Sequence, residues 1–389
     1  MYQVLTYNQI SSKGLDRFPR DMYTVGSDVD KPDAILLRSQ KLHGEHIPES
    51  VVAVARAGAG VNNIPVAEYT HQGLVVFNTP GANANAVKEL VAAGLFLASR
   101  DIFGGMNYVQ SLTDIDSPET MSPLLEKEKK RFAGSEIHGK TLGVVGLGAI
   151  GAIVANMALE LGMKVVGYDP AISVEAAWRL SSAVEKMDSL EALLGRADYI
   201  TLHVPAIEAT RHLINDETLA RVRPGARLLN FAREEVVDTG AVVRSLDAQK
   251  LAAYVTDFPA PDLLGRKDVL LLPHIGASTA EAEENCAVMA ADQLMDFLEN
   301  GNIRNSVNFP PTHMARNGGF RITFSNNNVP KVLGNVLAIL ADSNNNVIDL
   351  VNKSRDDVAY NIIDVETLPE ESIIEAIRQV DGVLRVRLL

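Results

Sequence analysis

Three glycines and one aspartate carry the first chemical expectation. In the stretch KTLGVVGLGAIGAIVANMALELGMKVVGYDP, residues 140–170, Gly146, Gly148 and Gly151 follow an apolar run and Asp169 closes the next one. One glycine suits a tight turn, one lets a pyrophosphate approach the backbone and a helix N-terminus at Ala149 and Ile150, and one lets helix and strand pack closely. Asp169 would accept hydrogen bonds from ribose hydroxyls and repel a 2'-phosphate, so NAD is expected rather than NADP. A glycine-rich βαβ unit with no ligand is the alternative. It is weakened by the strand before the turn, the helix after it and the acid at the right distance.

Further polar groups stand at the ends of other apolar runs: His203 before Pro205, Arg233 after Asn230, and the loop Asp257–Asp262 followed by His274. Side chains so spread along the chain meet only if a sheet gathers the strand ends. The pattern from residue 141 supplies one. Thr141–Val145, Tyr199–His203, Arg227–Asn230, Leu251–Thr256 and Val269–Leu271 read as strands, and 189–197, 216–221 and 239–250 as helices. That alternation predicts a doubly wound parallel sheet with ligands at the carboxyl ends of its strands.

Before it, VLTY, Ala34–Ser39, Val51–Gly58 and Leu74–Gly81 predict a second parallel sheet without the glycine fingerprint. Its loop Arg56-Ala57-Gly58-Ala59-Gly60-Val61-Asn62, and Asn78 after the next strand, suit a carboxylate or phosphate. A tight turn that needs glycine for its backbone angles is the other reading. Val87–Arg100 predicts a long helix leading out of this unit, and 279–299 another that stops at Gly301. The turn-rich 300–311 reads as a boundary. Beyond it, strands and helices follow in the order βαββαβ, the ferredoxin-like arrangement.

The 389 residues, 47% hydrophobic and 22% charged, suit a globular protein of two or three domains. A net charge of −13 argues against a nucleic-acid surface. The opening MYQVLTYNQI lacks the pattern of a signal peptide, and no apolar run approaches a membrane span, so a cytoplasmic protein without membrane partners is expected. The single cysteine, Cys286, excludes an internal disulfide and a cysteine-based zinc cluster, and no metal site is expected.

The segments ARAGAGVNNI, GLGAIG with YDP, HVPAIEATRHLI, NFAREEVVD and PHIGAST together resemble the D-isomer-specific 2-hydroxyacid dehydrogenases. Residues 318–389 resemble the ACT domain carried by the members that act on D-3-phosphoglycerate. The resemblance implies a substrate-binding domain over 1–94, rejoined by 280–311, an NAD-binding domain over 95–279, and catalysis in a cleft between lobes. It implies that His274 is the acid/base and that Arg233 grips the substrate carboxylate and keto oxygen. An acid should orient the histidine, and here the sequence departs from the family's D-V-F-x-x-E-P. Aligned on Asp257, the acid falls on Asp262; aligned on Phe-Pro, it falls on Pro261 and no carboxylate remains. Asp262 is taken, with Asp257 expected near the nicotinamide carboxamide.

The cofactor set implied by the motifs adds His203, Val204, Pro205, Thr210, Phe231, Ala232 and Gly276 to the glycine turn and Asp169. Arg56 is the candidate for the substrate phosphate, with Ala57, Gly58, Gly60 and Asn78 around it; Lys88 and Arg38 are weaker candidates. In the ACT-like segment, Asn328 and Asn346 match asparagines that hold an L-serine effector at a domain dimer interface, although Asn326 and Lys331 depart from that pattern. A homodimer or homotetramer is expected. The rival readings are another 2-hydroxyacid dehydrogenase, such as a glyoxylate or hydroxypyruvate reductase, and a nucleotide-sensing protein without catalysis.

Overall fold

The computed structural model describes residues Met1–Leu389, the side chain of Glu175 excepted. The chain forms two compact units, 1–83 with 279–389, and 84–278.

The first unit contains a five-stranded parallel sheet in the order Tyr23–Gly26, Tyr2–Thr6, Ala34–Leu37, Ala53–Arg56, Val75–Phe77. Ala34, Ile35, Leu36 and Leu37 are all fully buried, as a parallel strand covered on both faces requires. The returning helix Ala280–Asn300 lays Ala287, Ala290, Leu294 and Phe297 on one face of this sheet, against Leu36, Ala53, Ala55 and Phe77. Thr279 caps its start, accepting from Ala282 N at 3.1 Å, and Gly301 ends it in the left-handed conformation, φ 70°.

The same unit holds a four-stranded antiparallel sheet in the order Val347–Arg355, Val358–Val365, Phe320–Asn327, Val383–Leu388. With helices Val332–Asp342 and Glu371–Arg378 it has the βαββαβ order. Ile322, Phe324, Ile363 and Val365 face the two helices, whereas Val358, Tyr360 and Ile362 pack into the core that holds Phe297 and Phe309. The C-terminal segment is therefore built into the first unit. The turn-rich 300–311 is no loose linker: Ile303 and Phe309 on it are buried.

The second unit is built on a seven-stranded parallel sheet in the order Val269–Leu271, Leu251–Thr256, Ala226–Asn230, Tyr199–Leu202, Thr141–Val145, Lys164–Tyr168, Glu185–Lys186. Strand order reverses between Tyr199–Leu202 and Thr141–Val145, which places the switch point beside the glycine turn. The long helix predicted to leave the first unit spans Ala84–Ser99 and belongs to this one: Val87, Val91 and Leu95 bury against Leu142, Val144 and Leu229. Among the described residues, no helix is long and apolar enough to cross a membrane.

Candidate active site

Each fingerprint glycine answers a different steric demand. Gly146 has φ 89°, and a side chain there would meet the His203 carbonyl carbon at 2.8 Å. A Cβ on Gly151 would stand 1.9 Å from the Gly146 carbonyl oxygen, so only glycine lets the helix Ala149–Glu160 close on the turn. Gly148 has an ordinary φ of −69° and no heavy atom within 4 Å of where its Cβ would be. The fold alone does not require glycine there. The turn is left open on that side, and the free N–H groups of the first helical turn, from Ala149 and Ile150 onward, suit a pyrophosphate. Asp169 ties the turn to the second strand: its Oδ2 accepts from Leu147 N at 2.8 Å and its Oδ1 from Ala171 N at 2.9 Å. Each oxygen keeps a lone pair for a ribose hydroxyl.

His203 ends the neighbouring strand with Nε2 2.9 Å from Thr201 Oγ1, and burial pushes its pKa down to about 3, so the ring is neutral at ordinary pH. Its Nδ1 has no partner among the described residues. The loop through Val204 and Pro205 is closed by Thr210, whose Oγ1 donates to the Pro205 carbonyl at 2.5 Å.

On the other side of the switch point, three successive strands present the polar groups. After Asn230, the buried Phe231 and Ala232 lead to the half-buried Arg233. Asn230 fixes this turn, its Nδ2 donating to the Arg233 carbonyl at 2.9 Å and its Oδ1 accepting from Ala232 N at 3.1 Å. After Thr256, Asp257 is almost fully buried and both its oxygens grip the histidine loop: Oδ1 accepts from Ile275 N at 2.8 Å, Oδ2 from Gly276 N at 2.7 Å. His274, exposed and with φ 57°, is thereby held in a left-handed turn, and its ring packs on Phe258 with centroids 4.9 Å apart. Asp262 lies exposed on the short turn Pro261–Leu263, and among the described residues no hydrogen bond joins it to His274.

In the first unit, Arg56 folds back over its glycine loop, donating from Nε to the Arg38 carbonyl at 2.9 Å; a Cβ on Gly60 would come within 2.8 Å of its Nη1. Ala57 is buried beneath the loop, beside Gly58. Asn78 donates to the Ala59 carbonyl at 2.6 Å, locking the two candidate loops together. Arg38 pairs with Glu283 at 2.6 Å; Lys88, which belongs to the second unit, donates to Asn85 Oδ1 at 2.5 Å, so both already have partners.

Asn328 and Asn346 are both exposed but do not meet. Asn328 Nδ2 donates to the Asp356 carbonyl and Asn346 Nδ2 to Glu366 Oε2. The register places them at opposite ends of the same sheet, roughly 25 Å apart along its strands.

Sequence reasoning missed Phe258 as a support for the imidazole, Asp257 as the clamp of its loop, and Gln293, which donates from the returning helix to the Asn78 carbonyl at 3.0 Å. The adjacency of Asp257 and Phe258 was a usable signal. Nothing local marks Gln293, whose role depends on a contact between residues far apart in the chain.

A doubly wound sheet with this turn at its switch point defines a dinucleotide-binding domain, and comparison with known proteins carries the assignment further. Residues 107–276 match the family model for the D-isomer specific 2-hydroxyacid dehydrogenase, NAD binding domain. The D-3-phosphoglycerate dehydrogenase of Synechocystis sp. is 36% identical over 80% of this chain and 56% of its own length, and that of Haemophilus influenzae 31% over 87% and 81%. The crystal structure of 3-phosphoglycerate dehydrogenase from Entamoeba histolytica, with NAD+ bound, matches at a TM-score of 0.59 and 25% identity over 79% of this chain and 98% of that one. The chain spans little more than half the length of several of the curated relatives it matches. It belongs to the D-isomer-specific 2-hydroxyacid dehydrogenases, a family of NAD-dependent oxidoreductases, and NAD is the cofactor its second unit is built for.

Proposed function

We propose that the protein interconverts D-3-phosphoglycerate and 3-phosphohydroxypyruvate, the entry step of the phosphorylated route to serine. The supporting observation is that Arg233 and His274 follow strands of the same sheet as the glycine turn, flanking the strand that ends at Asp257. The relatives named D-3-phosphoglycerate dehydrogenase support this substrate within the family. NAD, held by the Gly146–Gly151 turn and Asp169, supplies the hydride acceptor. Arg233 fixes the substrate carboxylate and the reacting oxygen with a planar fork that lysine lacks. A ring nitrogen of His274 takes the hydroxyl proton on oxidation and returns it on reduction. Phe258 packs on that ring and Asp257 holds the loop that carries it, and Asp262 is assigned the stabilisation of the imidazolium. Arg56, with Asn78 beside its loop, is assigned the phosphate.

On this reading residues 318–389 are an ACT domain, L-serine is its effector, and the protein is a cytoplasmic homodimer or homotetramer. An effector site using both Asn328 and Asn346 would draw one from each of two chains, because a single chain keeps them apart.

The test is initial-rate NADH formation with D-3-phosphoglycerate, with D-glycerate as control and with or without L-serine. Activity confined to the phosphorylated substrate is expected. Equal activity on D-glycerate would move the function to the general hydroxyacid reductases. Arg233→Ala and His274→Ala should each lower kcat by about 100-fold or more while NAD still binds; unchanged turnover in either would remove that residue from the site.

A further inference from the structure

The last carbonyls of an α-helix have no partner within the helix. In the returning helix they are met one after another by side chains. Leu298 O accepts from Arg387 Nη2 at 2.9 Å and from Tyr2 OH at 2.9 Å; Glu299 O accepts from Arg316 Nη2 at 2.8 Å. Asn300 O accepts from Arg321 Nη1 at 2.9 Å, and Gly301 O, just past the helix, from Tyr360 OH at 2.9 Å. All of these donors except Tyr2 come from the segment after residue 311. Three are guanidinium groups, the charge that a helix C-terminus favours.

Arg321 is the firmest of them. It is fully buried, and its five N–H groups meet five acceptors: both Asp364 oxygens at 2.7 and 2.8 Å, and the carbonyls of Asn300, Met314 and Ala315 at 2.9 Å each. The C-terminal segment is thus the cap of the helix, and its buried Arg321 has no freedom to exchange partners with water.

From that capped end the helix reaches the candidate substrate loop by two short routes. Gln293, buried, donates to the Asn78 carbonyl at 3.0 Å and accepts from Asn305 at 2.6 Å. Phe297 lies between the Arg387 guanidinium, 4.6 Å from its ring centroid, and Phe77, whose ring is 5.5 Å away and whose chain neighbour is Asn78. We propose that the C-terminal sheet positions the substrate loop at Asn78 through the C-terminal turns of this helix, which makes Arg316 and Arg387 positioning residues for substrate binding. The proposal takes Asn78 as part of the substrate loop from the functional reading above, and it concerns a static brace that operates with or without an effector.

The experiment compares the full-length protein with Arg316→Gln, a change at an exposed side chain, and with Arg387→Lys, which keeps the charge but loses the two-pronged donor. Amide hydrogen exchange is followed at Asn78 and Thr79, together with KM and kcat for D-3-phosphoglycerate and NAD+ affinity. The expected result is exchange at those two amides faster by about fivefold or more, with KM raised to a similar degree, kcat within about twofold and NAD+ affinity unchanged. Faster exchange confined to the end of the helix and the C-terminal sheet, with the Asn78 region and KM unmoved, would overturn the proposal and leave a local cap. If the unaltered protein does not turn over D-3-phosphoglycerate, the functional reading fails, and the exchange at Asn78 and Thr79 alone decides the positioning role.

Discussion

At the scale of single residues, the candidate site shows how much a buried carboxylate does for the loop beside it. Asp257 accepts two backbone N–H groups from the loop that carries His274, so Asp257→Asn turns an amide N–H toward another N–H donor at under 3 Å. A loss of stability of about 2–3 kcal/mol in urea unfolding is expected, with a larger fall in kcat than in NAD affinity. His203 makes a different prediction. Its folded-state pKa, about 3, lies below the ordinary 6.5, so below pH 6.5 the unfolded chain binds a proton that the folded chain refuses. The stability it contributes is complete above pH 6.5 and is lost as pH falls toward 3, at up to about 1.4 kcal/mol per pH unit. Unfolding free energies measured from pH 7 to 4 should fall less steeply in His203→Gln; an identical slope would show that the ring titrates freely. The types and spacing of these residues were legible in the sequence, since His274, Arg233 and Asp257 all follow apolar runs. The partnership of Asp257 with the histidine loop was not, because nothing local says that two strand ends lie side by side. The short alternative to the family acid, Asp262, sits on an exposed turn, and its assignment is tested by Asp262→Asn: a fall in kcat of about tenfold or more is expected, and unchanged kcat would remove it from the chemistry.

Among the elements, the glycine turn separates demands of folding from demands of ligand binding. Gly148→Ala places a methyl where no atom lies within 4 Å, at a φ any residue adopts. Its unfolding free energy should stay within about 0.5 kcal/mol of the unaltered protein. NAD binding, measured by calorimetry, should still weaken by tenfold or more, about 1.4 kcal/mol. Gly151→Ala drives a methyl into the Gly146 carbonyl and should cost about 2 kcal/mol or more of stability as well. If both variants unfold alike, the division of roles is wrong. The elements best read from sequence are those with long buried runs, such as Thr141–Val145 and Val358–Val365. Tyr23–Gly26 and Glu185–Lys186 escaped notice because both are short edge strands, and the second is wholly exposed and made of charged residues. The helix Val332–Asp342 begins only after Lys331 takes a left-handed φ of 77°, a turn that apolar periodicity does not report.

For the whole molecule, the C-terminal segment has a ferredoxin-like order visible in its alternating runs, but not its attachment. Nothing local marks Arg321, Arg316 and Arg387, and only the tertiary fold turns them toward the end of one helix. Arg321→Met should destabilise the protein by about 3–5 kcal/mol by leaving Asp364 buried without a partner, and adding Asp364→Leu should restore part of the loss. A single variant as stable as the unaltered protein would show that the pair is dispensable. The division of the chain also bears on the order in which a ribosome can complete it. Residues 84–278 form one unbroken unit that can fold as soon as it has emerged, whereas Met1–Asn83 must wait for partners that begin about 200 residues downstream, a delay of roughly 10–40 s at common rates of synthesis. During that interval the strands Ala34–Leu37 and Val75–Phe77 have neither the returning helix nor the last sheet to cover them, and it is there that nascent-chain chaperones would find their longest-lived client surface.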